Sequence, residues 1–242
     1  MEITFIRHGQ PDWEPDDRAV DEPVLTKLGR EQAERAARAL ASEHGEGARA
    51  FDVLYVSPLV RAQETAAPIA RALGLEPRTL SWLRELALPE LGGSTPAQVQ
   101  AFFRDGRLRE PERWWDGYAG GESFRHFYER VTSGVDALLT GAHALGVHED
   151  AGHRLWRVED WNARVLVVAH EGTNAVAVSH LLGIEPNPWA PLRFTSAWTG
   201  MTRLHTSALG AGAVWSLEFF NRTEHLVPLR APVDGRAPRS VL

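Results

Sequence analysis

Three short runs along the chain are almost wholly apolar: Ile3-Thr4-Phe5-Ile6, Phe51-Asp52-Val53-Leu54-Tyr55-Val56 and Val165-Leu166-Val167-Val168-Ala169. Their near-continuous apolar character predicts strands covered on both faces. Helical periodicity follows each of them. Leu28, Ala33, Ala36, Ala37 and Leu40 form one stripe, and Ala62, Ala66, Ile69, Ala70 and Leu73 a second. Ser57 is placed to cap the second helix, with Pro58 at its first position, where a missing N–H costs little. A third helix is expected to begin shortly after Gly172, run through Ala175 to Leu182 and stop at Gly183. This alternation predicts an α/β fold, a mostly parallel sheet flanked by helices on both faces. Met201 to Thr206 and Ala213 to Phe220, separated by Gly210-Ala211-Gly212, read as strands that extend the same sheet.

The pattern changes between about Trp82 and Asn162, where Gly- and Pro-rich loops, the aromatics Trp114, Trp115 and Tyr118, and a long helix from about Ser123 to Leu145 are found. Residues 82–162 are read as a mainly helical insertion over the sheet's active edge, within a single domain spanning 1–242. The polar segment 143–161 reads as a surface excursion, and the Pro/Arg-rich tail after Pro228 as a mobile end. There is no internal repeat.

Composition narrows the function. With 242 residues, 43% of them hydrophobic, the chain can bury a substantial core. A net charge of −6 disfavours a dedicated partner for nucleic acid or anionic membrane, so an anionic substrate calls for a local cationic pocket. The absence of cysteine excludes disulfides, thiolate metal sites and cysteine nucleophiles. Met1 leads straight into the first apolar run without a basic leader, and no window offers the roughly 18 apolar residues of a membrane span. A cytoplasmic enzyme is the natural expectation.

The chemistry is expected where parallel strands end, because ligands of open α/β sheets bind outside those ends. After the first strand come Arg7, His8 and Gly9, after the second Ser57, Pro58 and Arg61, and after the third His170, Glu171 and Gly172. Any one of these residues has an ordinary structural explanation. Two histidines and two arginines arriving from three strand ends point instead to a shared anion site.

Arg7-His8-Gly9, the run Ser57-Pro58-Leu59-Val60-Arg61-Ala62-Gln63-Glu64-Thr65-Ala66, and Ala169-His170-Glu171-Gly172 resemble the histidine phosphatase superfamily, the phosphoglycerate-mutase-like group. Leu25-Thr26-Lys27-Leu28-Gly29, Leu83-Arg84-Glu85-Leu86 and Gly120-Gly121-Glu122-Ser123 continue the likeness in order along nearly the whole chain. The resemblance implies a three-layer sandwich. It also implies His8 as nucleophile, Arg7, Arg61 and His170 as the phosphate pocket, and Glu85 as proton donor. Spacing alone does not separate Glu85 from Glu90, Glu110 or Glu122; the Leu-Arg-Glu-Leu match selects it. Gln10, Thr26 and Glu171 are further substrate-side candidates, Thr26 also reading as the cap of the first helix and Glu122-Ser123 as a cap of the long one. No metal or other cofactor is implied, since guanidinium forks and an imidazole can carry the charge of a transferring phosphoryl group. Charge repulsion from the arginines is expected to lower the pKa of His8, keeping it neutral for attack.

Two features depart from that family's pattern. The run after Arg-His-Gly is Gln10-Pro11-Asp12-Trp13-Glu14, so a carboxylate stands where many relatives carry a phosphate-holding asparagine. Glu171 replaces a glycine and adds negative charge beside the pocket, which argues against highly anionic substrates such as bisphosphorylated sugars. His143, His148 and His153 share no helical face and read as scattered loop histidines, not as a metal site. Trp114-Trp115 reads as packing. The favoured activity is metal-independent hydrolysis of a small phosphorylated metabolite. A phosphoglycerate-type mutase and a non-catalytic phospholigand-binding relative are the alternatives, and the assembly allows a homodimer.

Overall fold

The computed structural model of the protein describes residues 1–45, 50–150 and 152–229. Strand β1 (Glu2–Arg7) leads through a loop to helix α1 (Lys27–Gly45), then β2 (Val53–Val56), α2 (Val60–Leu73) and a short β3 (Pro77–Thr79). The excursion that follows holds α3 (Pro96–Arg107), α4 (Phe124–Ala137), and the strands β4 (Gly146–Asp150) and β5 (His153–Arg157). The chain returns through β6 (Arg164–Ala169), α5 (Glu171–Leu181), a single turn α6 (Ala190–Arg193), β7 (Met201–Leu209) and β8 (Gly212–Arg222).

The strands form one eight-stranded sheet in the order β3-β2-β6-β1-β7-β8-β5-β4. Parallel pairing, as expected for the sheet, holds through β3, β2, β6 and β1. The remaining neighbours, from β1–β7 to β5–β4, are antiparallel, so the sheet is mixed. The parallel half is the part that matters for the site, because its strands end together.

Period-two alternation divides the core between the two faces. Ile6, Leu54, Val56, Leu166 and Val168 pack under Ala36, Ala37, Leu40, Ala62, Ala66 and Ile69 of α1 and α2. Ile3, Phe5, Val53, Tyr55, Val165 and Val167 face Phe127, Val131 and Val135 of α4 and Val176 and Val178 of α5. The result is the three-layer arrangement implied by the resemblance.

Several local expectations change. The long helix stops at Ala137 and continues as a π-helical turn, Leu138–Ala142, instead of running to Leu145. The segment read as a surface excursion is a hairpin, β4–β5, that joins the sheet edge through Trp156 opposite Ala213. Its adjacent Leu155 and Trp156, on opposite faces of the strand, are both buried, apolar positions that its polar composition concealed. Leu28 leaves the predicted stripe and is 41% exposed, because its neighbour Gly29 is the residue pressed against the loop after β1. The Pro/Arg-rich tail lies outside the described residues from position 230 onward.

Candidate active site

Register decides which side chains meet. Arg7 of β1 stands opposite Ala169 of β6, and Val168 of β6 opposite Val56 of β2. The next residues, His8, His170 and Ser57, therefore leave the sheet side by side at one edge. His8 N–H donates to Ala169 O and Ser57 N–H to Val168 O, so the ladder carries one step past the strands before the loops diverge. The loop after β1 then runs tight against the start of α1. A Cβ on Gly9 would lie 2.5 Å from Gly29 O, and one on Gly29 would lie 2.2 Å from Gln10 O, so both positions need glycine. Gly9 N–H donates to Thr65 Oγ1 at 2.9 Å, and Thr65 Oγ1 donates to Arg61 O at 2.7 Å, tying the loop to α2.

The two imidazoles lie with ring centroids 5.1 Å apart at 61°. His8 Nδ1 is 2.7 Å from its neighbour Gly9 O, a bond that only an Nδ1–H can make. The neutral ring then presents the lone pair of Nε2, the nucleophilic form. His170 Nε2 lies 2.7 Å from Ser57 Oγ. Ser57 Oγ accepts from Leu59 N–H at 3.3 Å, which leaves the hydroxyl proton for His170 Nε2. His170 thus keeps its own proton on Nδ1, a buried atom with no protein partner among the described residues. A buried donor without an acceptor is a place for an anion's oxygen.

Both histidines are pushed well below the usual imidazole value of 6.5. Burial is the larger cause for His8, with Arg61 and Arg7 adding charge repulsion, so the arginine effect expected from sequence is real but secondary. For His170 burial again leads, followed by Arg61, His8 and Arg7.

The two guanidiniums are held differently. Arg7 pairs with Glu171 through Nη1–Oε2 at 2.9 Å, both side chains nearly buried, and the same Nη1 donates to Ser196 O. Glu171 also accepts from Ser196 N–H, so this carboxylate, expected beside the pocket, is a brace for Arg7 and the 196 loop. Arg61 is buried; its nearest carboxylate, Glu22, stands 3.8 Å from Nη1, and its Nε and Nη1 make no hydrogen bond. Trp13 lies over Arg61 with its ring centroid 5.0 Å from Cζ, while the adjacent Glu14 is solvent-exposed. The carboxylate at the asparagine position therefore stays in water, and an indole meets the cation instead.

Glu85 reaches the same edge from the excursion. Its Oε1 accepts from Leu86 N–H and its Oε2 from Gly172 N–H, each at 2.9 Å, the latter in the first turn of α5 just after His170. Burial raises its pKa above the ordinary 4.5, and the two N–H bonds and the charges of Arg61 and Arg7 offset only part of that rise. Of the other glutamates left open by spacing, Glu90 and Glu110 are exposed and Glu122 is bound to Arg130.

The remaining candidates have structural partners. Thr26 Oγ1 accepts from Gly29 N–H, capping α1, and donates to Gln10 Oε1 at 2.9 Å. Gln10 N–H is held by Gln32. Ser123 caps α4 through His126 N–H. Ser57 does not cap α2: that helix begins at Val60 with Leu59 as its cap residue, because the Ser57 hydroxyl is engaged by His170. Its role was legible only through register, since Ser-Pro before a helix reads first as a cap. His143 meets the Tyr55 hydroxyl at 3.3 Å, and His148 and His153 fall on β4 and β5. Trp114 packs on Trp189 and Trp115 on Tyr128.

The family profile described as histidine phosphatase superfamily (branch 1) matches residues 3–214. Glucosyl-3-phosphoglycerate phosphatase of Mycolicibacterium vanbaalenii is 29% identical over 235 residues, covering 90% of this chain and 93% of that protein. The solved native structure of a mycobacterial glucosyl-3-phosphoglycerate phosphatase superposes with a TM-score of 0.67 at 27% identity, covering 92% of this chain and 99% of the other. A PE-PGRS family protein of Mycobacterium tuberculosis is 45% identical over 87 residues, 35% of this chain but only 14% of that protein's length. Among the described residues no helix is long and apolar enough to cross a membrane.

Proposed function

The chain belongs to the histidine phosphatase superfamily, and from that premise we propose that it hydrolyses phosphomonoesters of small metabolites through a phosphohistidine on His8. The observation that carries the proposal is the tautomer set by Gly9: a buried, neutral imidazole with its Nε2 lone pair free, beside a second imidazole and two arginines. The likeness of fold and sequence to phosphatases supports hydrolysis as the outcome.

In the first half-reaction His8 Nε2 forms a bond to phosphorus as the ester P–O bond breaks. Arg7, Arg61 and the Nδ1–H of His170 hold the equatorial oxygens, where negative charge develops. Glu85, whose raised pKa favours the protonated form, gives its proton to the leaving oxygen. In the second half-reaction the Glu85 carboxylate takes a proton from water, the hydroxide oxygen bonds to phosphorus, and the P–N bond breaks to release phosphate and neutral His8. Every charge in this sequence is met by a side chain or a proton transfer, so the reading is of a metal-independent enzyme. Gln10, Thr26 and Glu171 act in it by shaping the loop and holding Arg7.

The test is release of inorganic phosphate from an aryl phosphate in the presence of chelator, with acid-labile phosphate trapped on the protein by rapid quench. His8→Asn is expected to abolish both, with a loss on the order of 10⁴-fold or more in kcat. Turnover that requires an added divalent metal, or interconversion of 2- and 3-phosphoglycerate far faster than phosphate release, would overturn the assignment.

A further inference from the structure

One guanidinium outside the phosphate pocket has its donors shared between a buried glutamate and the segment that carries Glu85. Arg130 of α4 has five N–H groups, and the structure supplies five acceptors. Nε donates to Glu122 Oε1 at 2.9 Å and Nη2 to Glu122 Oε2 at 2.7 Å, a bidentate pair with both side chains largely buried. Nη1 donates to Trp82 O at 2.7 Å and Arg84 O at 3.1 Å, and Nη2 to Glu85 O at 3.4 Å. Three carbonyls from a stretch of four residues thus converge on one planar cation.

The segment is fixed from other directions too. Glu122 Oε2 also accepts from Ala87 N–H, and Glu122 N–H donates to Ala87 O at 2.7 Å. From α5, Thr173 Oγ1 donates to Arg84 O at 2.9 Å. Under the same turn of α4, Gly134 leaves room for Trp82: a Cβ there would lie 2.3 Å from the indole ring. None of these bonds reaches the phosphate pocket, which feels Arg130 only as a charge that helps lower His170; apart from the Arg130–Glu122 pair they hold the backbone on either side of the Glu85 Cα.

We propose that Arg130, locked by Glu122, is the positioning residue of the general acid: it holds Trp82 to Glu85 so that the Glu85 carboxyl meets the leaving oxygen. The proposal rests on the reading of Glu85 as proton donor. Lysine cannot replace arginine here, because an ammonium has three donors and no planar fork. A loosened segment leaves nucleophile and phosphate pocket intact and misplaces only the acid, and small displacements of a catalytic group lower rate steeply.

The experiment compares Arg130→Lys with the parent enzyme on p-nitrophenyl phosphate, whose leaving group needs little protonation, and on β-glycerophosphate, whose alkoxide needs it fully. Expected is a fall in kcat/KM, which reports only the steps through formation of the phosphohistidine, of about 10- to 30-fold on the alkyl ester against less than about threefold on the aryl ester. In a Glu85→Gln background, Arg130→Lys is expected to add no further loss on the alkyl ester. Equal losses on both esters, or additive losses in the double variant, would overturn the proposal. Glu85→Gln alone separates the two readings: if it shows no leaving-group dependence, the acid assignment falls and the positioning role with it. If Glu85→Gln shows the dependence and Arg130→Lys does not, only the positioning role falls. Should Arg130→Lys not fold by circular dichroism, Glu122→Gln, which frees the guanidinium from its bidentate partner, carries the same comparison.

Discussion

Two glutamates of this protein sit among arginines and are pushed in opposite directions. Glu43, in the last turns of α1, is touched by three guanidiniums, with Arg203 Nη2 at 2.6 Å and Arg164 Nη2 and Arg222 Nη2 at 3.2 Å. Burial works to raise its pKa, but the bond to Arg203 and the charges of Arg203 and Arg222 outweigh it, and Glu43 lies below the ordinary 4.5. Glu85 feels Arg61 and Arg7 only as charges at a distance and bonds to two backbone N–H groups, so burial prevails and its pKa rises. Direct contact with a cation makes one carboxylate a brace, while its absence leaves the other able to hold a proton. On the proposed reading, the same residue types serve folding in one place and chemistry in the other.

Exchanging each carboxylate for its neutral amide tests this contrast. Glu85→Gln is expected to lower kcat on an alkyl phosphate by about 10²- to 10⁴-fold, the usual worth of a positioned acid. Its unfolding midpoint is expected to change little, because losing a buried carboxyl of raised pKa gains stability at neutral pH while the amide nitrogen can no longer accept one of the two backbone N–H bonds. Loss of activity together with a clear loss of stability would mean that Glu85 is structural. Glu43→Gln should give the mirror image. It leaves three arginines around a neutral group, a change expected to cost about 2 kcal/mol of folding free energy once partial exposure of the carboxylate is allowed for. Its kcat and KM should stay within about twofold of the parent, since the residue lies far from the reacting groups along α1. Urea denaturation and steady-state assays on the same samples read both outcomes.

This contrast also marks where the sequence could be read and where it could not. The strands β1, β2 and β6 and helices α1, α2 and α5 were legible from apolar runs and helical stripes, and the site followed because parallel strands must end together. His8, Arg7, Arg61 and His170 meet there as expected. The hairpin β4–β5 was hidden because its buried apolar residues, Leu155 and Trp156, are two adjacent positions amid charged neighbours and show no alternation. Ser57 was misread because a local capping signal and a long-range bond to His170, 113 positions away, use the same hydroxyl. Glu43, Arg164, Arg203 and Arg222 gave no signal at all: each is an ordinary polar residue until the fold brings α1, β6, β7 and β8 together.

The smallest effect is the pH dependence of stability, and it separates the two carboxylates by sign. Glu43 has a depressed pKa in the folded state, so its contribution is fully present above the ordinary 4.5 and is lost as pH falls below that value toward the folded one. Glu85 has a raised folded pKa, so nothing is lost below 4.5; as pH rises past it the unfolded chain gives up its proton first, and stability declines until the folded group titrates. Urea midpoints of parent, Glu43→Gln and Glu85→Gln between about pH 3.5 and 7 should therefore diverge in opposite ranges, each by a slope of at most about 1.4 kcal/mol per pH unit for a single proton. Glu43→Gln should flatten the acid arm and leave the neutral one unchanged, and Glu85→Gln should do the reverse. Two variants whose curves run parallel to the parent throughout would show that neither carboxylate is displaced from its ordinary pKa, and the division between brace and acid would rest on distance alone.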